Sequence, residues 1–139
     1  MHPANFRWLS DVEIEIDGTL CDLHNCYDLK SFNFENDNTI ASVSMHWEKN
    51  AFAFEDRPSS IRLHFEDVNH FRINPRDPAY PPKEDTCLRE FALDREDWPD
   101  GPYHYSTSDQ FTAETRWAFC FQSEMMIVIG SKIVRLKTT

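Results

Sequence analysis

Apolar and polar residues alternate along most of this chain. A period of two is that of a β-strand, whose successive side chains point to opposite faces of a sheet. The alternation is clearest in residues 12–16, 43–47, 61–65 and 117–121. Each of these segments therefore predicts a strand with one apolar face, and Asp17-Gly18 predicts a turn after the first of them.

Three places predict departures from regular strands. The apolar parity changes within residues 27–34, so we expect a bulge near residues 30–31. Residues 67–69 predict a turn or a bulge. Gly130 followed by Ser131 has the pattern of a type II′ turn, so we expect a two-residue hairpin loop there.

The remaining segments complete the predicted fold class. The prolines in residues 75–82 predict an extended loop, because proline has no amide hydrogen for a ladder. Residues 86–93 fit either one face of a helix or a strand. About eight strands and at most one or two short helices predict a mainly β protein, an antiparallel sandwich or partly open barrel. The absence of a linker or a repeat predicts a single β-rich domain over residues 1–139.

The charge balance limits the classes of partner. The chain has 24 acidic and 14 basic residues, a formal net charge of −10. Such a field repels nucleic acids and anionic membranes and favours a basic protein partner. The last nine residues reverse this sign, with Lys132, Arg135 and Lys137 and no acid, so we expect the final strand to pair with an acidic neighbour.

Two acidic segments are candidate binding sites for such a partner. Asp11, Glu13, Glu15 and Asp17 share one parity, so a strand would place their carboxylates in a single row. The row is either a solvated sheet face or an electrostatic docking surface.

A second acidic segment combines carboxylates with aromatic rings. Residues 94–103 include Glu96, Asp97, Trp98 and Tyr103, the mixture that anchors protein interfaces. The alternative is an ordinary surface loop that Trp98 pins to the core.

A metal site or an acid–base enzyme is the alternative function. Cys21, His24 and Cys26 are zinc-ligand types within six residues, although their spacing differs from that of common zinc fingers. The other interpretation is a turn in which Cys26 packs as a small apolar residue. Asp22 and Asp28 flank His24 and could orient its imidazole. The chain has only three glycines and no recognisable nucleophile motif, so we favour a non-catalytic protein without a cofactor.

The sequence also predicts the cellular compartment and the oligomeric state. The first residues lack the basic and apolar regions of a signal peptide, and the apolar run at residues 125–129 is too short to span a bilayer. We expect a cytoplasmic protein with reduced thiols, a monomer or a homodimer. A further alternative is a structural homo-oligomer that uses residues 117–121 as an exposed aromatic edge.

Three segments together resemble the small β-rich immunity proteins of bacterial toxin–immunity systems. They are residues 23–29 (LHNCYDL) with the hairpin after them, residues 61–68 (IRLHFEDV), and the closing meander from Trp117 through Val128 to Val134. Many such families have an aspartate after the histidine, where this chain has Asn25. The resemblance implies a cytoplasmic inhibitor that binds a toxin, often a cationic nuclease, and has no catalytic activity of its own.

Overall fold

The computed structural model describes residues 2–3, 5–37, 40–94, 103–104 and 115–139. These residues form eleven β-strands and a 3-10 helix at Pro82–Asp85, and they contain no α-helix. The strands are β1 (His2–Pro3), β2 (Arg7–Trp8), β3 (Glu13–Ile16), β4 (Thr19–Asp22), β5 (Tyr27–Asp37), β6 (Ile40–Lys49), β7 (Ser60–Asn74), β8 (Leu88–Asp94), β9 (Tyr103–His104), β10 (Arg116–Phe121) and β11 (Met126–Thr138).

The strands form two sheets. The larger sheet has the order β5-β6-β7-β11-β10-β8-β9 and is antiparallel, except that β1 pairs in parallel with β11. The larger sheet curls into a half-barrel, and β2, β3 and β4 form a separate three-stranded antiparallel sheet. The predicted mainly β class is therefore confirmed.

The core lies between the inner faces of the two sheets and is rich in aromatic rings. The alternating apolar positions predicted in β3, β6 and β7 are the buried ones, whereas in β10 every residue from Trp117 to Phe121 is buried. Trp47, Phe65, Trp117 and Phe119 of the larger sheet are fully buried. Trp8 of the smaller sheet packs among them, so the smaller sheet covers the inner face of the larger one.

The predicted hairpin at Gly130-Ser131 is wrong. β11 runs through both residues and pairs with β7 over almost its whole length. A register shift between Gly130 and Ser131 faces the predicted irregularity at residues 67–69, where Asp67 has a φ of 53°. Gly130 is needed at this bulge because an added Cβ would lie 2.7 Å from Asn69 Oδ1 and 3.1 Å from His70 Cβ. The glycine therefore permits a close approach of two strands instead of a turn.

Other local predictions have mixed outcomes. The bulge at residues 30–31 is confirmed, since the register of β5 against β6 shifts between Leu29 and Ser31. The ambiguous segment 86–93 contributes the strand β8. The proposal of an exposed edge at residues 117–121 is wrong, because β10 lies between β11 and β8 and its aromatic side chains are buried.

The basic final strand has the acidic neighbour that its sequence predicts. Lys132 Nζ lies 2.7 Å from the Asp67 carboxylate, and Arg135 Nε lies 2.9 Å from Glu66 Oε1. Both acids belong to β7, the antiparallel partner of β11. Among the described residues, no helix has the length and apolar character required to cross a bilayer.

Candidate functional site

The acidic row maps to the small sheet, but only its centre lies in a strand. Ile14 and Ile16 are buried, so Glu13 and Glu15 point away from the core. Asp11 precedes β3, and Asp17 lies in the turn that joins β3 to β4; both are exposed. Asp17 and Gly18 have φ angles of 50° and 78°, as the two central residues of a type I′ turn require. The row is therefore two strand residues, with Asp11 in a bend before them and Asp17 in the turn after them.

The four carboxylates differ in how far their charge is compensated. Arg7 donates to both carboxylate oxygens of Glu15, at 3.2 and 3.1 Å, so this charge is largely neutralised. Glu13 Oε2 accepts a hydrogen bond from the Ser10 hydroxyl, which carries no charge. Glu13 also lies directly opposite Asp22 in the β3–β4 register, an arrangement in which like charges repel. Glu13 and Asp22 thus bring two carboxylates close together on the outer face of this sheet.

Asp22 owes its position to the turn that follows β4. Its Oδ1 accepts hydrogen bonds from the backbone N–H groups of His24 and Asn25, each at 2.9 Å, and its Oδ2 accepts one from Asn25 Nδ2 at 2.8 Å. Aspartate is favoured in turns because its side chain can bind the backbone amides that follow it. Asp22 therefore holds the turn and also supplies charge to the surface.

The connection between β6 and β7 places two aromatic rings in solvent. In residues 50–59, Phe52 is 82% exposed and Phe54 is 70% exposed. The loop is held by Lys49, whose Nζ donates to the backbone carbonyls of Glu55 and Arg57 at 3.2 and 3.4 Å. Phe52 N–H also donates to Asn50 Oδ1 at 2.9 Å. A backbone fixed in this way presents its rings with little loss of conformational entropy on binding.

The acids and one of these rings meet at a depression of about 190 Å³. We call its outer part the acidic–aromatic surface and define it by Glu13, Leu20, Asp22 and Phe54. Leu20 is 41% exposed, although it lies in β4. Arg57 also lines the depression, with its guanidinium 5.5 Å from the centre of the Phe54 ring and 2.9 Å from Asp56 Oδ2. This arrangement can accept a cationic side chain beside an apolar one.

Sequence reasoning did not assign Leu20, Phe54 or Arg57 to a site. Phe54 is separated from Glu13 by more than forty positions in the chain, so only the tertiary fold brings the two together. The available signal was a pair of phenylalanines, Phe52 and Phe54, within six residues of Pro58 and followed directly by two acids. A core strand would not tolerate such a segment.

The three candidate metal ligands, Cys21, His24 and Cys26, have different contact partners. Cys21 is buried with its sulfur 3.8 Å from the Tyr27 hydroxyl, which donates its hydrogen to the Pro58 carbonyl at 2.9 Å. Cys26 Sγ lies 3.8 Å from the Phe52 carbonyl. His24 Nδ1 lies 2.6 Å from the Leu88 carbonyl. In the part of the chain that the structure describes, no three histidine, cysteine, aspartate or glutamate side chains form a group that could hold a metal ion. All four cysteines are free thiols.

His24 instead meets a cysteine that is distant in sequence. Cys87 Sγ lies 3.6 Å from His24 Nδ1, and both residues line a depression of about 390 Å³ with Asp28 and Phe52. Because a carbonyl can only accept, Nδ1 carries the hydrogen that it donates to Leu88 and cannot take a proton from the thiol. Burial and the charges of nearby carboxylates raise the pKa of Cys87, so its sulfur stays protonated at neutral pH. The pair lacks the features of an activated nucleophile.

The second predicted binding segment lies mostly outside the described residues. Glu96, Asp97 and Trp98 are not among them. Tyr103 belongs to the short strand β9, whose backbone pairs with Leu93 of β8. The binding role of these four residues remains a prediction.

No family model, no curated protein and no solved structure matches this chain.

Proposed function

We propose that this chain is a non-catalytic protein-binding module of the immunity type, which inhibits a basic protein by covering it with the acidic–aromatic surface. The observation that carries the proposal is the meeting of Glu13 and Asp22 with the exposed Leu20 and Phe54 around one depression. The net charge of −10 also favours a basic partner over an acidic one.

The proposed surface combines two contributions to binding. Exposed aromatic rings supply apolar area that becomes buried on association, and such residues dominate the energetics of many interfaces. Uncompensated carboxylates attract a basic protein and increase the rate of association, mostly at low ionic strength.

The alternative of an acid–base enzyme centred on His24 has less support. Its imidazole is engaged through Nδ1 with the Leu88 carbonyl, and the pKa of the adjacent Cys87 thiol is raised. Catalytic cysteines have lowered pKa values, because the thiolate is the reactive form. The geometry around His24 thus favours a structural contact between the turn after β4 and the beginning of β8.

The experiment measures binding of a short fluorescent peptide of alternating arginine and leucine, by anisotropy at low and high salt. The test variant is Glu13→Gln combined with Phe54→Ala. We expect it to weaken binding by roughly tenfold, about 1.4 kcal/mol, and to reduce the salt dependence. The matched control, Glu48→Gln with Tyr80→Ala, removes one charge and one exposed ring outside the acidic–aromatic surface. Equal losses in both variants would contradict the proposed location.

The protein encoded by the neighbouring gene is the second probe. We expect a basic partner there that the wild-type chain binds and inhibits, and that the Glu13→Gln/Phe54→Ala variant binds more weakly than the control does. Peptide binding without any inhibition of that protein would support a basic-protein-binding surface and contradict the immunity function.

A further inference from the structure

A second depression lies beside the acidic–aromatic surface. It is the one of about 390 Å³ that contains the His24–Cys87 contact, and it is lined by His24, Asn25, Asp28, Asn50, Phe52 and Cys87. The turn of residues 22–26 separates it from the first depression, because the ends of the turn, Asp22 and Cys26, line the first depression and its middle lines the second. The Cys26 N–H donates to the Asp22 carbonyl at 3.0 Å, so this wall is a single turn of the chain.

Hydrogen bonds between distant segments fix the walls of the second depression. The Leu29 N–H donates to the Thr86 carbonyl at 2.9 Å, which holds the residues before β8 against the beginning of β5. Asn50 Nδ2 donates to the Asn25 carbonyl at 3.1 Å and so ties the loop after β6 to the turn after β4. The depression is therefore formed before a ligand enters, which reduces the entropy lost on binding.

The second depression lies in a negative field. Asp28 is directly opposite Glu48 in the β5–β6 register, and its carboxylate has no hydrogen bond or ion pair with a described residue. Burial raises the pKa of the Cys87 thiol, and three carboxylates raise it further, those of Glu84, Asp28 and Asp22. Among the described residues, no lysine or arginine lines this depression. A cation that entered it would therefore meet an unpaired carboxylate.

The phenylalanines of the two depressions differ in their contacts. The Arg57 guanidinium lies 5.5 Å from the ring centre of Phe54, so a cation of this chain already approaches the ring at the first depression. Phe52 is 82% exposed, and its ring has no such contact within the described part of the chain. A guanidinium can lie against an aromatic ring while its N–H groups bind a carboxylate. Phe52 and Asp28 offer both partners in one depression.

We propose that the second depression receives an arginine side chain of the basic protein that the acidic–aromatic surface covers, an inference that rests on the proposed function. Arginine fits better than lysine, because a planar guanidinium can bind both open oxygens of Asp28 as a pair. A turn of chain is about 10 Å across, and an extended segment advances about 3.3 Å per residue. The arginine should therefore lie about three positions from the apolar residue that contacts Leu20 and Phe54.

The first experiment measures binding of the arginine–leucine peptide by fluorescence anisotropy. Asp28→Asn combined with Phe52→Ala should weaken binding by roughly tenfold. The matched control is Glu35→Gln with Phe34→Ala, which also removes one exposed carboxylate and one exposed ring but lines neither depression. Lysine in place of every arginine of the peptide should weaken binding to the wild-type chain more than binding to the test variant. Circular dichroism confirms that the variants remain folded.

The Glu13→Gln/Phe54→Ala variant separates this inference from the proposed function. If that variant binds the peptide weakly while Asp28→Asn/Phe52→Ala binds it as the control does, the proposed function stands and the arginine site is overturned. If only Asp28→Asn/Phe52→Ala binds weakly, the arginine site stands and the location of the proposed surface is contradicted.

The second experiment locates the arginine with the native thiols. The probe is a peptide with one leucine, an arginine three positions later, and a cysteine directly after it that carries thionitrobenzoate as a mixed disulfide. At mildly alkaline pH the Cys87 thiolate attacks the peptide sulfur, a disulfide forms between protein and peptide, and thionitrobenzoate leaves. Cys26 lines the first depression and Cys87 the second, so mass spectrometry of the digested adduct identifies the depression.

We expect the peptide on Cys87, and slower labelling when glutamine replaces its arginine or when the protein carries Asp28→Asn/Phe52→Ala. The buried Cys21 and Cys120 provide the baseline. Preferential labelling of Cys26, or labelling of Cys87 at the same rate by the glutamine peptide, would overturn the proposal.

Discussion

Trp8 stacks on Phe91 with the ring centres 3.9 Å apart and the ring planes within 5° of parallel. Trp8 belongs to β2 of the small sheet, and Phe91 belongs to β8 of the large one. Trp117 approaches both rings edge-on, with centres 5.9 Å from Trp8 and 5.1 Å from Phe91. This aromatic group joins the two sheets, and through it the small sheet holds the acidic–aromatic surface in place.

Trp8→Ala should therefore lower the free energy of unfolding by about 3–5 kcal/mol, the range for removal of a large aromatic side chain from a core. The neighbouring Leu9 is 40% exposed, and Leu9→Ala should change stability by less than roughly 1 kcal/mol. Urea unfolding, followed by tryptophan fluorescence and circular dichroism, measures both. Similar losses for the two variants would contradict the role of the Trp8–Phe91 stack.

Two glycine substitutions should destabilise the protein for different reasons. Gly18 has a φ of 78° with open space around it, so Gly18→Ala should cost about 1 kcal/mol through backbone conformation alone. Gly130→Ala should cost about 1–3 kcal/mol through overpacking, because the new methyl group would meet Asn69 and His70. Thermal or urea unfolding measures both costs.

A substitution that shortens a neighbouring side chain should relieve only the cost of Gly130→Ala. Asn69 Oδ1 is the nearest atom to an added Cβ at Gly130, so Asn69→Ala should recover part of the loss in the Gly130→Ala background. The same substitution should not recover any of the loss caused by Gly18→Ala. A double-mutant cycle gives the coupling free energy between the two positions, and a coupling near zero would show that Asn69 is not the source of the steric cost at Gly130.

The buried thiol of Cys120 should make stability depend on alkaline pH. Burial, assisted by the charge of Glu90, raises the pKa of Cys120 from 9.0 to about 11. The unfolded chain then loses this proton at lower pH than the folded chain, so the free energy of unfolding falls between pH 9 and about pH 11. The stabilisation that the protonated Cys120 thiol contributes to the folded state is complete below pH 9. It amounts to about 3 kcal/mol at most.

Cys120→Ala should remove this part of the pH dependence. Its loss of packing against Ala92, Ala118 and Val128 is the same at every pH, so only the change of stability with pH is informative. We expect the difference in free energy of unfolding between the wild-type chain and the variant to shift in favour of the variant as the pH rises from 9 to 11. Urea titrations at each pH measure this difference. Parallel pH profiles would show that Cys120 does not ionise differently in the folded chain.

Asp22 should contribute more to stability than an ordinary surface acid. Asp22→Ala removes three hydrogen bonds from the turn after β4 and should cost about 1–2 kcal/mol. Asp22→Asn keeps one acceptor oxygen and should cost less. Asp11 is the control, because its exposed side chain can be removed by Asp11→Ala without loss of its backbone contact to Phe91. Equal stabilities of the Asp11 and Asp22 variants would show that the turn does not depend on the Asp22 carboxylate.

The sequence predicted most of the strands because burial on one face of a sheet imposes alternation. Ile61, Leu63 and Phe65 are fully buried, as their period of two indicates. The Gly130 prediction was wrong because a glycine at a turn and a glycine at a close strand approach have the same local pattern. The choice depends on Asn69 and His70, which lie about sixty positions earlier in the chain.

The candidate site was less accessible to sequence reasoning than the fold. Glu13 and Glu15 were placed on one outward face by parity alone, and the structure agrees. Their electrostatic difference could not be predicted, because it depends on the cross-strand partner Arg7 for Glu15 and Asp22 for Glu13. The adjacency of Phe54 likewise requires the loop conformation that Lys49 stabilises.

The position of β11 has a consequence for how the protein is made in the cell. The strands β5, β6 and β7 form a sequential meander, and β8 pairs with β10. Within the described strand order, β11 is the strand that joins the two groups in the larger sheet. A ribosome must therefore complete residues 126–138 before the sheet can close. Until then Phe65 of the meander and the aromatic side chains of β10 lack the strand that joins them and are exposed to other chains. Translation rate and chaperone access should therefore influence the yield of folded protein.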